Sequence, residues 1–190
     1  MSGRSTRPPA RSPGTPGWRS GKDGAAEFDG KTSQVVTAGP VLRTGAGHGF
    51  TVSAWVCLSA VPGFFATAVS QEETTADSGD SGFFLQYSSE EKRWAFARPG
   101  RRAVGYTVPA AATWTHLVGV CDAAAGKLRL YVNGVQEAAI TDTKPTAATG
   151  PLVIGRAKYG GRPTDFFPGA IKDVRVFARA LTSARIKTLP

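Results

Sequence analysis

The sequence predicts an all-β fold of two packed antiparallel sheets, closed near its end by a short helical turn. Three observations carry that reading. Short apolar stretches recur about every 8–12 residues, with hardly any helical period between them. Glycine and proline are plentiful, 23 and 13 among 190 residues, as a fold with many tight turns requires. The stretch "KLRLYVNGVQEAAI", Lys127 to Ile140, alternates apolar and polar residues into Asn133-Gly134 and then resumes. Asn-Gly supplies the two positive-φ residues of a type I′ turn, so the chain reverses there at once.

Each element can be justified in turn. "AAEFDG" ends in Asp-Gly, a hairpin signal. In "GFTVSAWVCL", Phe50, Val52, Ala54 and Val56 share one face, and Thr51, Ser53, Trp55 and Cys57 share the other. "ATAVSQ", "GFFLQYS" and "RWAFARP" follow, each bounded by Gly, Ser or Pro. "TWTHLVGVCD" runs to the turn "AAAGK". Beyond it Leu128, Leu130 and Val132 face one way, and Arg129 and Tyr131 the other. "GPLVIGRA" and "GAIKDVRVFARA" complete the strands. In "LTSARIKTL", Thr182 or Ser183 caps a helical turn that Leu181, Ile186 and Leu189 dock onto a sheet.

Residues 1–17 read as a disordered tail and residues 18–190 as one domain. "MSGRSTRPPARSPGTPGWRS" is rich in Pro, Gly, Ser and Arg, and cannot bury enough apolar surface to offset the entropy of ordering. It holds no apolar run of secretory type. No stretch approaches the roughly 20 apolar residues of a membrane span. The net charge of +9 looks like a nucleic-acid signal until it is mapped. Arg4, Arg7, Arg11, Arg19 and Lys22 all precede the first acid, Asp23, and no helix gathers basic residues into a stripe. Nucleic acid is therefore not an expected partner.

Five segments, "EFDG", "GFTVSAWV", "TWTHLVGVCDAAAGKLRLYVNG", "GPLVIGRA" and "FFPGAIKDVRVFARALTSARI", stand in an order that resembles the laminin G-like domain of the concanavalin A-like superfamily. The resemblance covers Trp18 to the C-terminus. It implies a two-sheet antiparallel jelly-roll sandwich with loops clustered along an edge, and an extracellular setting. Domains of this kind usually carry another strand upstream of "WRSGKDGAAEFDG". Either the natural start lies further upstream, the account favoured here, or a sheet edge is left open to pairing.

The sequence carries no catalytic constellation. Glycanases of the superfamily place Glu, Asp and Glu at alternate positions of one strand, and retaining hydrolysis needs two carboxyls about 5–5.5 Å apart. No E-x-D-x-E occurs. Glu27, Asp29 and Asp173 fall at strand ends; Glu72, Glu73, Asp77 and Asp80 read as charges of one solvated loop, and Glu90 and Glu91 of another. His48 and His116 adjoin no G-x-S-x-G nucleophile, and His116 reads as a strand residue whose ring packs or hydrogen-bonds beside Trp114. The sequence thus predicts no enzyme.

The resemblance also implies one structural Ca²⁺, for which Asp29, the Gly30 carbonyl and Asp173 are the matching positions. Hard oxygen ligands, 6–8 of them, suit that ion. The other reading is that Asp29 makes the Asp-Gly turn and Asp173 bonds nearby backbone. For sugar, exposed aromatics and polar groups on loops are needed. Trp55 and Trp114 read as packing residues, while Tyr87 and Trp94 fall nearer strand ends. The irregular connection "RAKYGGRPTDFFPG" supplies the candidate ligand residues Arg156, Tyr159, Arg162, Asp165 and Phe166, with Phe167 as a plug.

Pentraxins, which share the fold, join two of these strands by a disulfide whose positions match Ser53 and Val118. With Ser53 opposite Val118, Cys57 faces Trp114 and Cys121 lies on the other face of the sheet. Two free thiols follow, unless a bulge restores the parity. The expected function is a non-catalytic recognition module for glycans. The alternatives are a protein-contact or spacer domain of a larger secreted protein, and a glycoside hydrolase.

Overall fold

The computed structural model describes residues 24–189 apart from 75, 77 and 78. The tail over 1–17 and the start at Trp18 lie outside the described residues. In chain order the strands are β1 (Ala26–Asp29), β2 (Val35–Val36), β3 (Phe50–Leu58), β4 (Ala66–Glu72), β5 (Ser81–Ser88), β6 (Arg93–Arg98) and β7 (Arg101–Val104). They continue with β8 (Thr115–Asp122), β9 (Lys127–Val132), β10 (Val135–Thr141), β11 (Leu152–Ile154), β12 (Ala157–Tyr159), β13 (Arg162–Thr164) and β14 (Pro168–Phe177), followed by α1 (Ser183–Ile186).

Two six-stranded antiparallel sheets form the sandwich. The first runs β1-β14-β3-β8-β9-β10 and the second β2-β11-β4-β5-β6-β7. Strand alternation fills the space between them: Phe50, Val52, Ala54 and Val56 from β3 meet Leu117, Leu128, Leu130 and Val132, with Phe83, Leu85, Tyr87, Trp94 and Phe96 opposite. Phe50, Phe83 and Phe96 pack at centroid spacings of 5.1–6.2 Å. Gly119 is a glycine because a Cβ there would stand 2.3 Å from the Phe96 ring. Tyr87 and Trp94, expected near strand ends, belong to this core. They pair directly across β5 and β6, ring to edge at 6.2 Å.

The interior is not wholly apolar. Arg98 is buried, its Nη atoms donating to the Thr44 and Thr146 carbonyls at 2.7 and 2.9 Å. Its Nε lies 3.0 Å from Asp142 Oδ2, an ion pair off the line of a hydrogen bond. The guanidinium also sits 5.4 Å from the Phe50 ring centre. A buried charge persists only when paired and hydrogen-bonded, and this one is.

Asn133 and Gly134 take φ of 49° and 78°, and the chain turns directly from β9 into β10 as their type I′ preference dictates. Asp29-Gly30 behaves differently from its hairpin signal. β1 pairs with β14 rather than with β2, so the Asp-Gly turn sends the chain across to the other sheet. Thr182 caps α1, accepting from the Arg185 N–H at 3.4 Å. Leu181 and Ile186 then seat the segment on Val118, Val120 and Tyr131, on the outer face of the first sheet.

β3 and β8 pair with Ser53 opposite Val118 and Phe50 opposite Cys121. Cys121 points into the core while Cys57, like Ser53 and Trp55, points outward, and both cysteines are free. No bulge restores their parity along this pair.

Candidate functional site

The connection read from sequence as irregular is a hairpin. β12 and β13 pair through Ala157–Thr164, Lys158–Pro163 and Tyr159–Arg162, with Gly160 and Gly161 at the tip in positive φ. The hairpin lies across the outer face of the second sheet, where Ala157 packs on Phe84 and Ala97. Gly155, just ahead of the hairpin, passes close over the core residue Phe28. Its φ is 92°, and a Cβ there would stand 2.3 Å from the Phe28 ring.

A buried ion cluster anchors the hairpin. Glu72, the last residue of β4, accepts from Arg156 Nη1 at 2.8 Å and from Lys158 Nζ at 3.3 Å. Glu72 is thus no solvated loop charge, as its acidic neighbourhood in the sequence suggested. All three side chains are more than nine-tenths buried. Lys158 Nζ further donates to the carbonyls of Thr74 and Ala76, and Arg156 to Gln34. Backbone links add to this: Ser70 Oγ donates to the Arg156 carbonyl at 2.9 Å, Lys158 N donates to Ser81 Oγ at 2.9 Å, and Gly161 N donates to the Gly79 carbonyl at 2.9 Å.

The hairpin covers only part of the sheet. Beside it runs a groove of about 650 Å³. Phe84, Gln86 and Ala97, on the sheet's outer face, form its floor, and Phe65, Arg102, Tyr159, Thr164 and Asp165 are among the residues that line it. Alternation explains the floor: Phe83, Leu85 and Tyr87 point to the core, so Phe84 and Gln86 point out.

Tyr159 is 69% exposed at the rim. Elsewhere in the lining, the Arg102 guanidinium lies over Phe65 at 4.9 Å from the ring centre and donates to Glu90 at 2.8 Å and Glu91 at 2.7 Å. Burial alone would raise the Glu91 carboxyl, but the Ser88 hydroxyl and Arg102 outweigh it and hold it below its usual range. Thr67 donates its hydroxyl to Gln86 Oε1 at 3.1 Å, and among the described residues the amide NH₂ of that side chain is unspent.

Asp165 follows the hairpin in the left-handed region, φ 53°, and its carbonyl accepts from Thr67 N at 2.8 Å. That bond fixes the backbone against β4 and sets the side chain in the groove wall. Burial pushes the carboxyl above its ordinary 3.8, against one hydrogen bond from the Thr164 hydroxyl at 3.1 Å.

The five ligand residues expected from sequence therefore part company. Tyr159 and Asp165 meet at the groove. Arg162 is exposed at the hairpin tip opposite Tyr159, outside the groove lining. Arg156 is spent on Glu72 beneath the hairpin, and Phe166 is half-buried outside the lining. Phe167 is fully buried in the core, as its neighbouring Pro168-Gly169 suggested. Phe65, Phe84, Gln86, Glu90 and Arg102 were not anticipated. The run "FFLQY" is buried on both faces, which hides its alternation, and Arg102 reaches the groove only through the β6–β7 pairing.

The expected calcium positions do not converge. Asp29 lies opposite Pro168, whereas Asp173 lies two residues beyond Ile171, the partner of Ala26. Five residues along β14 separate the two levels, ~16 Å at the rise of a strand. The Asp29 carboxylate is also occupied, accepting from the backbone of Lys31, Thr32 and Ser33 at 2.8–2.9 Å and from the Thr32 hydroxyl at 2.7 Å. Burial would raise this carboxyl; those bonds outweigh it and hold it well below the usual range. Among the described residues no group of three or more His, Cys, Asp or Glu is placed to hold a metal. Asp29 instead makes the turn, and the pair does not fit a shared calcium site.

On the opposite side of the molecule, His116 stacks on Trp55 at 5.0 Å and its Nε2 lies 2.8 Å from Ser53 Oγ. Trp114 lies under the Lys172 ammonium at 4.6 Å.

Comparison with known proteins agrees with this architecture. Domain 4 of AbnA, a GH43 extracellular arabinanase from Geobacillus stearothermophilus, solved in complex with arabinotriose, superposes with a TM-score of 0.65 at 20% identity, covering 92% of this chain and 80% of that one. A native heptameric SAP-like pentraxin from Limulus polyphemus gives 0.66 at 17% identity, covering 86% and 80%. A Trypanosoma rangeli sialidase gives 0.63 at 18% identity, and this chain spans only 26% of its length. These likenesses show the fold. No curated protein sequence matches the chain. A family profile described as the concanavalin A-like lectin/glucanases superfamily matches residues 29–187, nearly the whole of the two sheets and the hairpin laid across them, and the chain belongs to that laminin G-type family.

Proposed function

We propose that the chain is a non-catalytic carbohydrate-recognition module working outside the cell, with the groove beside β12–β13 as its binding site. One observation carries the reading: an exposed aromatic ring, Tyr159, belongs to a groove whose lining presents a carboxyl, an amide and a guanidinium. A pyranose or furanose ring offers an apolar face and a fringe of hydroxyls, and this combination suits both. The arabinotriose carried by the AbnA domain supports the class of ligand without fixing it.

The carboxylates lining the groove support binding over hydrolysis. Glu90 is held by Arg102, and Asp80 accepts from Gly160 N at 2.7 Å. Glycoside cleavage uses two carboxyls in concert, one of them free to give a proton. Here only Asp165 lacks a partner of that kind.

Isothermal titration with neutral oligosaccharides tests the reading. Millimolar or tighter binding that Tyr159→Ala weakens about tenfold, roughly the worth of one stacked aromatic, is the expected result. No heat at millimolar sugar, or release of reducing ends during incubation, would overturn it.

A further inference from the structure

We infer that the groove selects glycans without anionic groups, with Asp165 as the residue that reads this difference; the inference rests on the groove being the glycan site. The overall charge of +9 suggests the opposite, a preference for uronates or sulfated sugars. The local accounting reverses it.

Three arginines line the groove, and each is already spent. Arg98 and Arg101 point at Asp142, at 3.0 and 3.5 Å, and Arg98 is buried. Arg102 is shared between Glu90 and Glu91. Asp80 and Asp165 add two more carboxylates to the lining. Counting Glu91 and Asp142, which hold these arginines from outside the lining, three guanidiniums meet five carboxylates, and adding Arg162 from the hairpin tip still leaves the acids in excess. An incoming carboxylate or sulfate would have to displace Glu90 or Glu91 from Arg102, exchanging one charged partner for another. It would also stand beside Asp165, whose carboxyl has no cationic partner among the described residues.

A neutral sugar meets neither obstacle. Its hydroxyls donate to Asp165, and accept from the Gln86 amide that Thr67 leaves unspent. Asp165 is well suited to this role because its position is set by the backbone. Its carbonyl is tied to β4, and its φ of 53° is one that Asp and Asn tolerate and most residues do not. The carboxylate is therefore already in place before a ligand arrives.

The test uses the full chain at low ionic strength, titrated separately with arabinotriose, cellotriose and trigalacturonic acid. At least one neutral trimer is expected to bind, with trigalacturonate at least about tenfold weaker, since like charges a few ångströms apart in a partly desolvated groove repel on that scale. Asp165→Asn keeps the left-handed backbone and the shape while removing the charge. It is expected to weaken the neutral trimer and to bring trigalacturonate within about threefold of it. Added salt is expected to narrow the gap in the native chain and to leave it unchanged in the variant. Trigalacturonate binding tighter than the neutral trimers would overturn the inference while leaving the glycan groove standing. An unchanged gap in Asp165→Asn would overturn the role of that residue. Silence from all three sugars would remove the glycan reading itself, and the inference with it.

Discussion

Ser53 Oγ and His116 Nε2 stand 2.8 Å apart on neighbouring strands, on the outer face of the first sheet. Both are buried, and Trp55 stacks on the imidazole at 5.0 Å. Burial pushes the His116 pKa below its usual 6.5; Arg175, opposite Ser53 on β14, pushes the same way, and Asp173 only partly opposes them. The folded chain therefore holds this ring neutral where the unfolded chain would already take a proton. Stability is present above pH 6.5 and is lost as pH falls from there towards the lowered folded value. The expected outcome is a melting temperature that declines between pH 7 and 5. Carboxylates held low by their partners, Asp29, Glu91 and Asp122, have ordinary values of 3.8 to 4.5, so their loss belongs to a lower window. Calorimetry of His116→Gln across the same range checks this: its curve should be flatter.

The hairpin depends on Glu72. Removing that carboxylate leaves Arg156 and Lys158 buried with no acidic partner among the described residues. Breaking one side of such a pair costs about 3–5 kcal/mol, because the stranded charge remains desolvated. Glu72→Ala should lower the urea midpoint accordingly and weaken sugar binding as the hairpin loosens. A loss below ~1 kcal/mol would mean that the two cations find other partners.

How far the sequence reached is visible in these residues. Strands of the first sheet were legible because only one face of each is fully apolar, so β3 and β9 displayed their alternation and Asn133-Gly134 marked the turn. The pairing of Ser53 with Val118, carried by the resemblance to pentraxins, holds, and with it the opposite faces of the two cysteines. The second sheet was harder to read. The hairpin lies over part of its outer face, and "GFFLQYS" is buried on both faces and shows no period. Glycine and proline in "RAKYGGRPT" read as irregularity although they form a tight hairpin. Glu72 and Arg156, 84 positions apart, could not be matched from local pattern. Tyr159 and Asp165 could be picked out, because an aromatic ring and an acid stand out in a segment that shows no strand period.

Gly155 is where backbone conformation and close packing meet. A side chain there would have to adopt φ near 92° and push a methyl group into the Phe28 ring. Gly155→Ala should destabilise the fold by about 1–3 kcal/mol, combining overpacking with strain. Because Gly155 N and O also tie to Ala68 and Phe167, the effect should spread to both strands flanking the hairpin. Amide exchange would register this as faster opening of β4 and of the start of β14.

Asp165 makes sugar binding depend on pH. Burial raises its carboxyl above 3.8, so it takes up a proton earlier in an acid titration than a solvated aspartate would. Once neutral it keeps one hydroxyl donor and loses charge-assisted acceptance, which is roughly twice as strong as the neutral kind. A neutral oligosaccharide bound near pH 7 should therefore weaken as pH drops through the raised value, while trigalacturonate, relieved of repulsion, should weaken less. For stability the sign is reversed: a buried carboxyl that is easier to protonate when folded makes the fold relatively more stable on acidification through that window. Asp165→Asn should abolish the slope in affinity without altering the decline that His116 produces between pH 7 and 5. Titrations of both variants at pH 7, 6, 5 and 4 separate the two residues. A neutral-sugar affinity that is level across that range in the native chain would mean that Asp165 does not touch the ligand.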